Sequence, residues 1–140
     1  MAHQTFVHTH RVSYAECTAG NHVYYARYLD LLESARGEFF RAAGMTFQQW
    51  HENGTLFPVI EAHVRYKDAA RYDDVLQIEV WLTAMERVRI NFAYRILNES
   101  RKLIVEADTF HACTSTADKP KRLPEELVVK LQPYLAPALS

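Results

Sequence analysis

The chain has 140 residues, 49% of them hydrophobic and 24% charged, which is enough for one core and excludes the apolar-poor, charge-rich composition of a disordered segment. Its 16 Lys and Arg against 17 Asp and Glu leave a formal charge of -1, so no overall field draws it to nucleic acid or an anionic membrane, and an anionic ligand needs a local basic cluster. No stretch approaches the ~20 apolar residues of a membrane span and MAHQTFVHTHRVSY has no signal-peptide core, so a cytoplasmic protein is expected.

Residues 5–14 alternate Phe6, His8, His10, Val12 and Tyr14 with Val7, Thr9, Arg11 and Ser13, which predicts a first strand. A small polar loop follows. From Tyr25 the period changes: Tyr28, Leu31, Leu32, Ala35, Phe39 and Ala42 form one helical stripe, and Leu29, Phe40 and Ala43 widen it into a helix buried over much of its circumference. Gly44 stops this helix, and MTFQQWHENG predicts a short second helical turn ending at Asn53-Gly54. In FPVIEAHVRY, Ile60, Ala62, Val64 and Tyr66 alternate with Glu61, His63 and Arg65, a second strand whose first set faces the helix. VLQIEVWLTAM and RVRINFAYRIL continue as strands joined by a hairpin at residues 85–87, and LIVEADTFHACTST is the last strand. ADKPKRLP breaks it. PEELVVKLQPYL then forms a C-terminal helix with proline at its start and acids in its first turn.

No repeat, low-complexity tract or linker interrupts this order, so residues 1–140 read as a single domain of the α+β class with an antiparallel sheet. Trp81, Val105 and Ala107 are left as apolar surface that one helix does not cover, and self-association is the expected way to bury them. Cys17 and Cys113 match no metal-ligand spacing and read as free thiols.

The segment YAECTAGNHVYYARYLDLLESAR resembles the motif of the hotdog-fold acyl-CoA thioesterases related to 4-hydroxybenzoyl-CoA thioesterase. That motif runs aromatic, spacer, Asp, Thr or Cys, Asp, small residue, Gly, then Val-Tyr, Tyr-Leu and Glu-x-Ala-Arg. VIEAHVRYKDAARYDDVLQIEVW and FHACTSTADKPKRLPEEL resemble the same family's sheet and tail, so the likeness covers nearly the whole chain. The resemblance implies a hotdog fold, an antiparallel sheet wrapped around one long central helix that starts near Val23, with a short C-terminal helix. It also implies two chains paired edge to edge, in a homodimer or homotetramer, with active sites at the interface. The implied substrate is an acyl group on coenzyme A or acyl carrier protein, hydrolysed to free acid and thiol without metal or redox cofactor.

In this family a loop acid attacks the thioester carbonyl or activates water, while a helix-start N–H polarises the carbonyl oxygen. Free N–H groups at the positive end of a helix dipole stabilise an oxyanion. By position the polarising amide is that of Tyr25, with the amides from His22 to Tyr24 able to share the task. The family's catalytic aspartate falls on Thr18 and the other acid of the pair on Glu16. A neutral threonine hydroxyl is no general base near pH 7, so the base is sought in Glu16, the loop's only carboxylate, or in His22, whose ordinary pKa of about 6.5 suits the task. Glu16 reads equally well as a salt-bridged loop acid, and His22 as a packing or capping residue.

Thr18 and Asn21 are candidate helix caps, and Thr18 can also hold the attacking water. A Cys17–His22 nucleophile pair is the less economical reading, and Glu61 faces away from the helix. Tyr24, Tyr25, Tyr28 and Phe39 are candidates for the acyl pocket or plain core. Arg87 and Arg89 with Lys119, Lys121 and Arg122 are the basic cluster available to CoA phosphates, or a solvated charge run. The leading expectation is an acyl-CoA thioesterase. The alternative is a hotdog module that binds an acyl thioester or a protein partner without turnover, and a hydratase would need a His-carboxylate motif not found here.

Overall fold

The computed structural model describes residues 3–137. The period-two segments become β1 (Phe6–Arg11), β2 (Val59–Tyr66), β3 (Val75–Glu86), β4 (Arg89–Leu97) and β5 (Leu103–Ala112), all paired antiparallel in the order β1-β3-β4-β5-β2. The widened stripe becomes α1 (Arg27–Ala42), followed by α2 (Phe47–Glu52), and the tail holds α3 (Glu125–Leu131). Leu76, Ile78, Val80 and Leu82 of β3 and Ile90, Phe92, Tyr94 and Ile96 of β4 turn one face of the sheet toward α1, which answers with Tyr28, Leu31, Leu32, Ala35, Phe39 and Phe40. Phe39 is central: its ring lies 5.4 Å from Phe6, 6.3 Å from Phe92 and 4.7 Å from Tyr134. Gly44, at φ 113, supplies the left-handed residue that ends α1, and α2 opens on a reciprocal Thr46–Gln49 capping box.

Four expectations are corrected. First, α1 begins at Arg27, after Val23 and Tyr25, because Val23 is drawn into a bridge with Cys17 and its N–H into a bond with Ala70 O. Second, β1 ends at Arg11, and Ser13 opens a 3-10 turn (Tyr14–Glu16) that leaves Tyr14 exposed. Third, Val105 and Ala107 are not spare surface. Their register against Ile96 and Tyr94 puts them on the α1 side, at 0% and 3% exposure. Only Trp81 lies on the outer face, where His3 stacks on it at 5.4 Å and the Arg95 guanidinium sits 5.7 Å from its ring centre. Fourth, the β2–β5 register slips between Val59 and Glu61, so Ile60 leaves the alternation and Val59 takes the place beside Ala62 against α1.

β2 is the outermost strand on its side, and Val59, Ile60 and Tyr66 are exposed along it. No helix among the described residues is long and apolar enough to cross a membrane.

Candidate active site

The loop between β1 and α1 folds as a small hairpin. Cys17 pairs with Val23, the Thr18 N–H donates to His22 O at 2.8 Å, and the Tyr24 N–H donates to Glu16 O at 2.9 Å. The turn closes where the Asn21 N–H meets Thr18 O at 3.0 Å, with Asn21 at φ 59, a left-handed position asparagine tolerates. Thr18 therefore stands opposite His22 across the hairpin, and both are exposed. Among the described residues the His22 ring has no hydrogen-bond partner. It precedes Ala26, the N-cap of α1, by a full turn of chain, so it belongs to the hairpin and not to the helix start.

Glu16 is tied down. Its Oε1 accepts from the Ser13 N–H at 2.7 Å, the Ser13 hydroxyl at 3.1 Å and His10 Nε2 at 2.9 Å, and Oε2 lies 3.0 Å from the same His10 nitrogen. Partial burial alone would raise its pKa, but the Ser13 amide, the His10 ring and the Ser13 hydroxyl together outweigh it and hold the carboxyl below its ordinary value. A carboxylate stabilised this way is a weak proton acceptor.

The amides of Val23 and Tyr24 are spent on Ala70 O and Glu16 O, so they do not share in carbonyl polarisation. Among the described residues the amides of Tyr25 and Ala26 have no acceptor. The Tyr66 hydroxyl donates to Tyr25 O at 3.1 Å and clamps that peptide from β2. Tyr24, Tyr25 and Tyr66 form an exposed aromatic rim, with ring centres 4.9 and 6.3 Å apart. Tyr28 is not part of it: it is buried, and its hydroxyl accepts the Ala70 N–H at 3.1 Å. Phe39 is core.

A cleft lies between α1 and β2. One cavity of about 190 Å³ is lined by Leu29, Leu32, Glu33, Arg36, Val59, Ala62 and Thr109, and a second of about 270 Å³ adjoins it at Glu33 and Arg36, closed by Phe47 and residues 55–58. A wider groove of about 440 Å³ around Trp81, Arg95 and Asp108 lies on the outer face of the sheet, away from the hairpin. No three His, Cys, Asp or Glu side chains converge as metal ligands among the described residues.

The basic cluster lies elsewhere. β1 delivers the hairpin at Arg11, opposite Val75, whereas Arg87 occupies the β3–β4 turn, and Arg89 pairs with Ala112 at the far end of β5. The Leu123 N–H to Arg87 O bond of 2.7 Å brings Arg122 to the same end, and Lys119 sits on the neighbouring loop. At ~3.3 Å per strand residue this is about 40 Å from the hairpin of the same chain. Lys121 is partly engaged, with Nζ donating to Thr55 Oγ1 at 2.6 Å and Gly54 O at 3.3 Å. The cluster does not flank the hairpin within one chain, because an odd number of strand lengths separates them.

A family model described as the Thioesterase-like superfamily matches residues 12–131. The acyl-CoA thioester hydrolase YbgC of Escherichia coli O6:H1 is 32% identical over 87% of this chain and 92% of its own length. The chain belongs to the thioesterase-like superfamily. A 1,4-dihydroxy-2-naphthoyl-CoA hydrolase from Synechococcus elongatus is 26% identical over 86% of this chain and 90% of its own. A solved structure of a hypothetical protein from Aquifex aeolicus superposes with a TM-score of 0.85 at 28% identity, covering 90% of this chain and 98% of the other. The five-stranded antiparallel sheet with α1 against one face is the hotdog fold.

One constellation in this thioesterase-like chain escaped the sequence reading. Arg36 Nη1 donates to the Tyr94 hydroxyl at 3.1 Å, Tyr94 lies 2.6 Å from Thr109 Oγ1, Thr109 lies 2.8 Å from His111 Nε2, and His111 Nδ1 lies 3.0 Å from Phe57 O. Burial, partly opposed by the Phe57 carbonyl and aided by the charge of Arg36, pushes His111 down to about 4. The available signal was polarity at core-facing positions: Tyr94, Thr109 and His111 interrupt otherwise apolar alternations.

Proposed function

We propose that this protein hydrolyses acyl-CoA thioesters with water, in a site that a second copy of the chain completes. The observation that carries this reading is the pair of free amides at Tyr25 and Ala26, just before the start of α1 and next in sequence to the hairpin that holds Thr18 and His22. A thioester carbonyl oxygen placed on the Tyr25 N–H has its acyl chain in the cleft between α1 and β2 and its sulfur toward solvent. His22 takes a proton from a water held against the Thr18 hydroxyl, and the water oxygen adds to the carbonyl carbon. Negative charge on the former carbonyl oxygen is stabilised by the Tyr25 and Ala26 amides. Collapse breaks the carbon–sulfur bond, and the His22 proton goes to the departing thiolate. Glu16 holds the hairpin in shape rather than acting as base, in keeping with its filled lone pairs and lowered pKa.

The exposed β2 edge is the surface for the second copy. Pairing two β2 strands antiparallel brings the Val59 end of one chain beside the Tyr66 end of the other, and with it the partner's basic cluster to the hairpin that lacks one. CoA phosphates would then be held by the partner chain while the first chain does the chemistry. A homodimer suffices; a homotetramer would also use the outer face around Trp81. Free Cys17 and Cys113 and a CoA substrate suit the cytoplasm.

A module that binds without turnover is favoured by one observation, Thr18 at the usual acid position. The deciding experiment is thiol release from short, long and aromatic acyl-CoAs and from acyl carrier protein thioesters, with mass determination in solution. Turnover that falls about 10²-fold in His22→Ala, in a dimer or tetramer, supports hydrolysis. Tight binding without thiol release establishes the binding module, and an unchanged pH–rate profile in His22→Ala removes His22 from the mechanism.

A further inference from the structure

Arg36 carries a charge that the fold leaves largely unanswered. The residue is 9% exposed, a single N–H group of its guanidinium has a partner, and that partner is a neutral phenol. No ion pair to Arg36 forms among the described residues. Glu33, one turn earlier, lines the same cavities without bonding to it, and is the carboxylate facing it there. Removing a guanidinium from water costs far more than one neutral hydrogen bond returns, and the shortfall is met when an anionic or strongly accepting oxygen joins it.

The network behind Arg36 fixes its orientation. Phe57 O can only accept, so His111 Nδ1 carries the proton and Nε2 accepts from Thr109. Thr109 then accepts from Tyr94, and the Tyr94 oxygen turns a lone pair to Arg36. Every proton in the series has one direction. The guanidinium is thereby held at the seam of the two cavities, with its remaining donors unspent.

Resting on the thioesterase reading, we propose that Arg36 anchors an oxygen acceptor carried by the acyl group itself, so that the enzyme selects acyl thioesters bearing an oxo or carboxylate function over plain hydrocarbon ones. Arg36 lies about 14 Å along α1 from Arg27. It therefore reads the far part of an acyl chain whose thioester carbonyl rests on the Tyr25 amide of the same chain. A donor-only guanidinium matches an acceptor-only oxygen and gains nothing from a methylene.

The test compares kcat/KM for acyl-CoAs of matched length that are unadorned, oxo-substituted or end in a carboxylate. At least one oxygen-bearing series is expected to exceed the plain one by about tenfold, as one charge-assisted hydrogen bond allows. Arg36→Gln is expected to bring that ratio close to unity. Tyr94→Phe, which keeps the ring but removes the hydroxyl that orients Arg36, is expected to lower it by a smaller factor. Equal kcat/KM for all series in the unmodified protein overturns the proposal, as does a ratio that neither substitution changes. If no thioester releases thiol, hydrolysis fails as the function, and calorimetric binding of the same thioesters still decides the Arg36 proposal: tighter binding of an oxygen-bearing series supports it, and equal affinities overturn it.

Discussion

The hairpin between β1 and α1 leaves its polar side chains free, whereas the polar side chains beneath the sheet tie one another down. His22 and Thr18 stand exposed, and the Tyr25 and Ala26 amides await an acceptor. Tyr94, Thr109 and His111 are buried and joined end to end by bonds of 2.6 to 3.0 Å. The hairpin leads into the start of α1, and the network meets the same helix at Arg36. A group that exchanges protons with a substrate needs open valences, while a group that recognises a substrate needs a fixed direction. The hairpin suits the first task, and the network suits the second.

Substitutions can break this division, the largest effect being expected at the hairpin. Thr18→Asp restores a carboxylate beside His22 and the free amides, and should raise thiol release by about 10²-fold. An unchanged rate would mean that water is not activated there.

The next effect belongs to the network and is one of stability. His111 titrates near 6.5 when unfolded and at about 4 in the fold, so the unfolded chain binds more protons between those values and stability rises with pH through that window. Taking the protein from pH 7 down through pH 4 should cost about 3 kcal/mol from this group alone. Urea unfolding at several pH values checks this, and His111→Gln should flatten the dependence.

Glu16→Gln should be smaller. It weakens the capping of the Tyr14–Glu16 turn by about 1 kcal/mol in denaturant unfolding at neutral pH, without shifting the pH–rate profile. A shifted profile would instead return Glu16 to the chemistry. Smallest is Tyr66→Phe, which removes the clamp on the Tyr25 peptide and should cost about 0.5–1 kcal/mol of transition-state stabilisation, read in kcat/KM.

The strands were legible because alternation is the direct imprint of one buried face, as in Ile78, Val80 and Leu82 or Ile90, Phe92 and Ile96. The start of α1 was not legible. Apolar residues run without a break from Val23 into the helix, and the acceptor that pulls Val23 out of helical conformation, Ala70 O, lies far along the chain. Val105 and Ala107 were misread for a related reason: the pairing that places them beside Ile96 and Tyr94, on the side covered by α1, is set by strands distant in sequence. Within the site, the loop motif located the free amides but not the hydrogen bonds that occupy Glu16. The Arg36 network was hidden because Arg36 meets Tyr94 through the packing of α1 on the sheet, 58 positions away, and Tyr94 meets Thr109 through the pairing of β4 with β5.

The placement of the hairpin and the basic cluster at opposite ends of the sheet has a genetic corollary. On the antiparallel pairing proposed above, each working site draws its chemistry from one chain and its phosphate contacts from the other. A variant disabled at His22 and a variant stripped of Arg87 and Arg89 are then each strongly impaired as pure dimers. When the two are unfolded together and refolded, mixed dimers contain one site with both halves intact. Co-refolding should recover about a quarter of the unmodified activity, well above that of the parents mixed without subunit exchange.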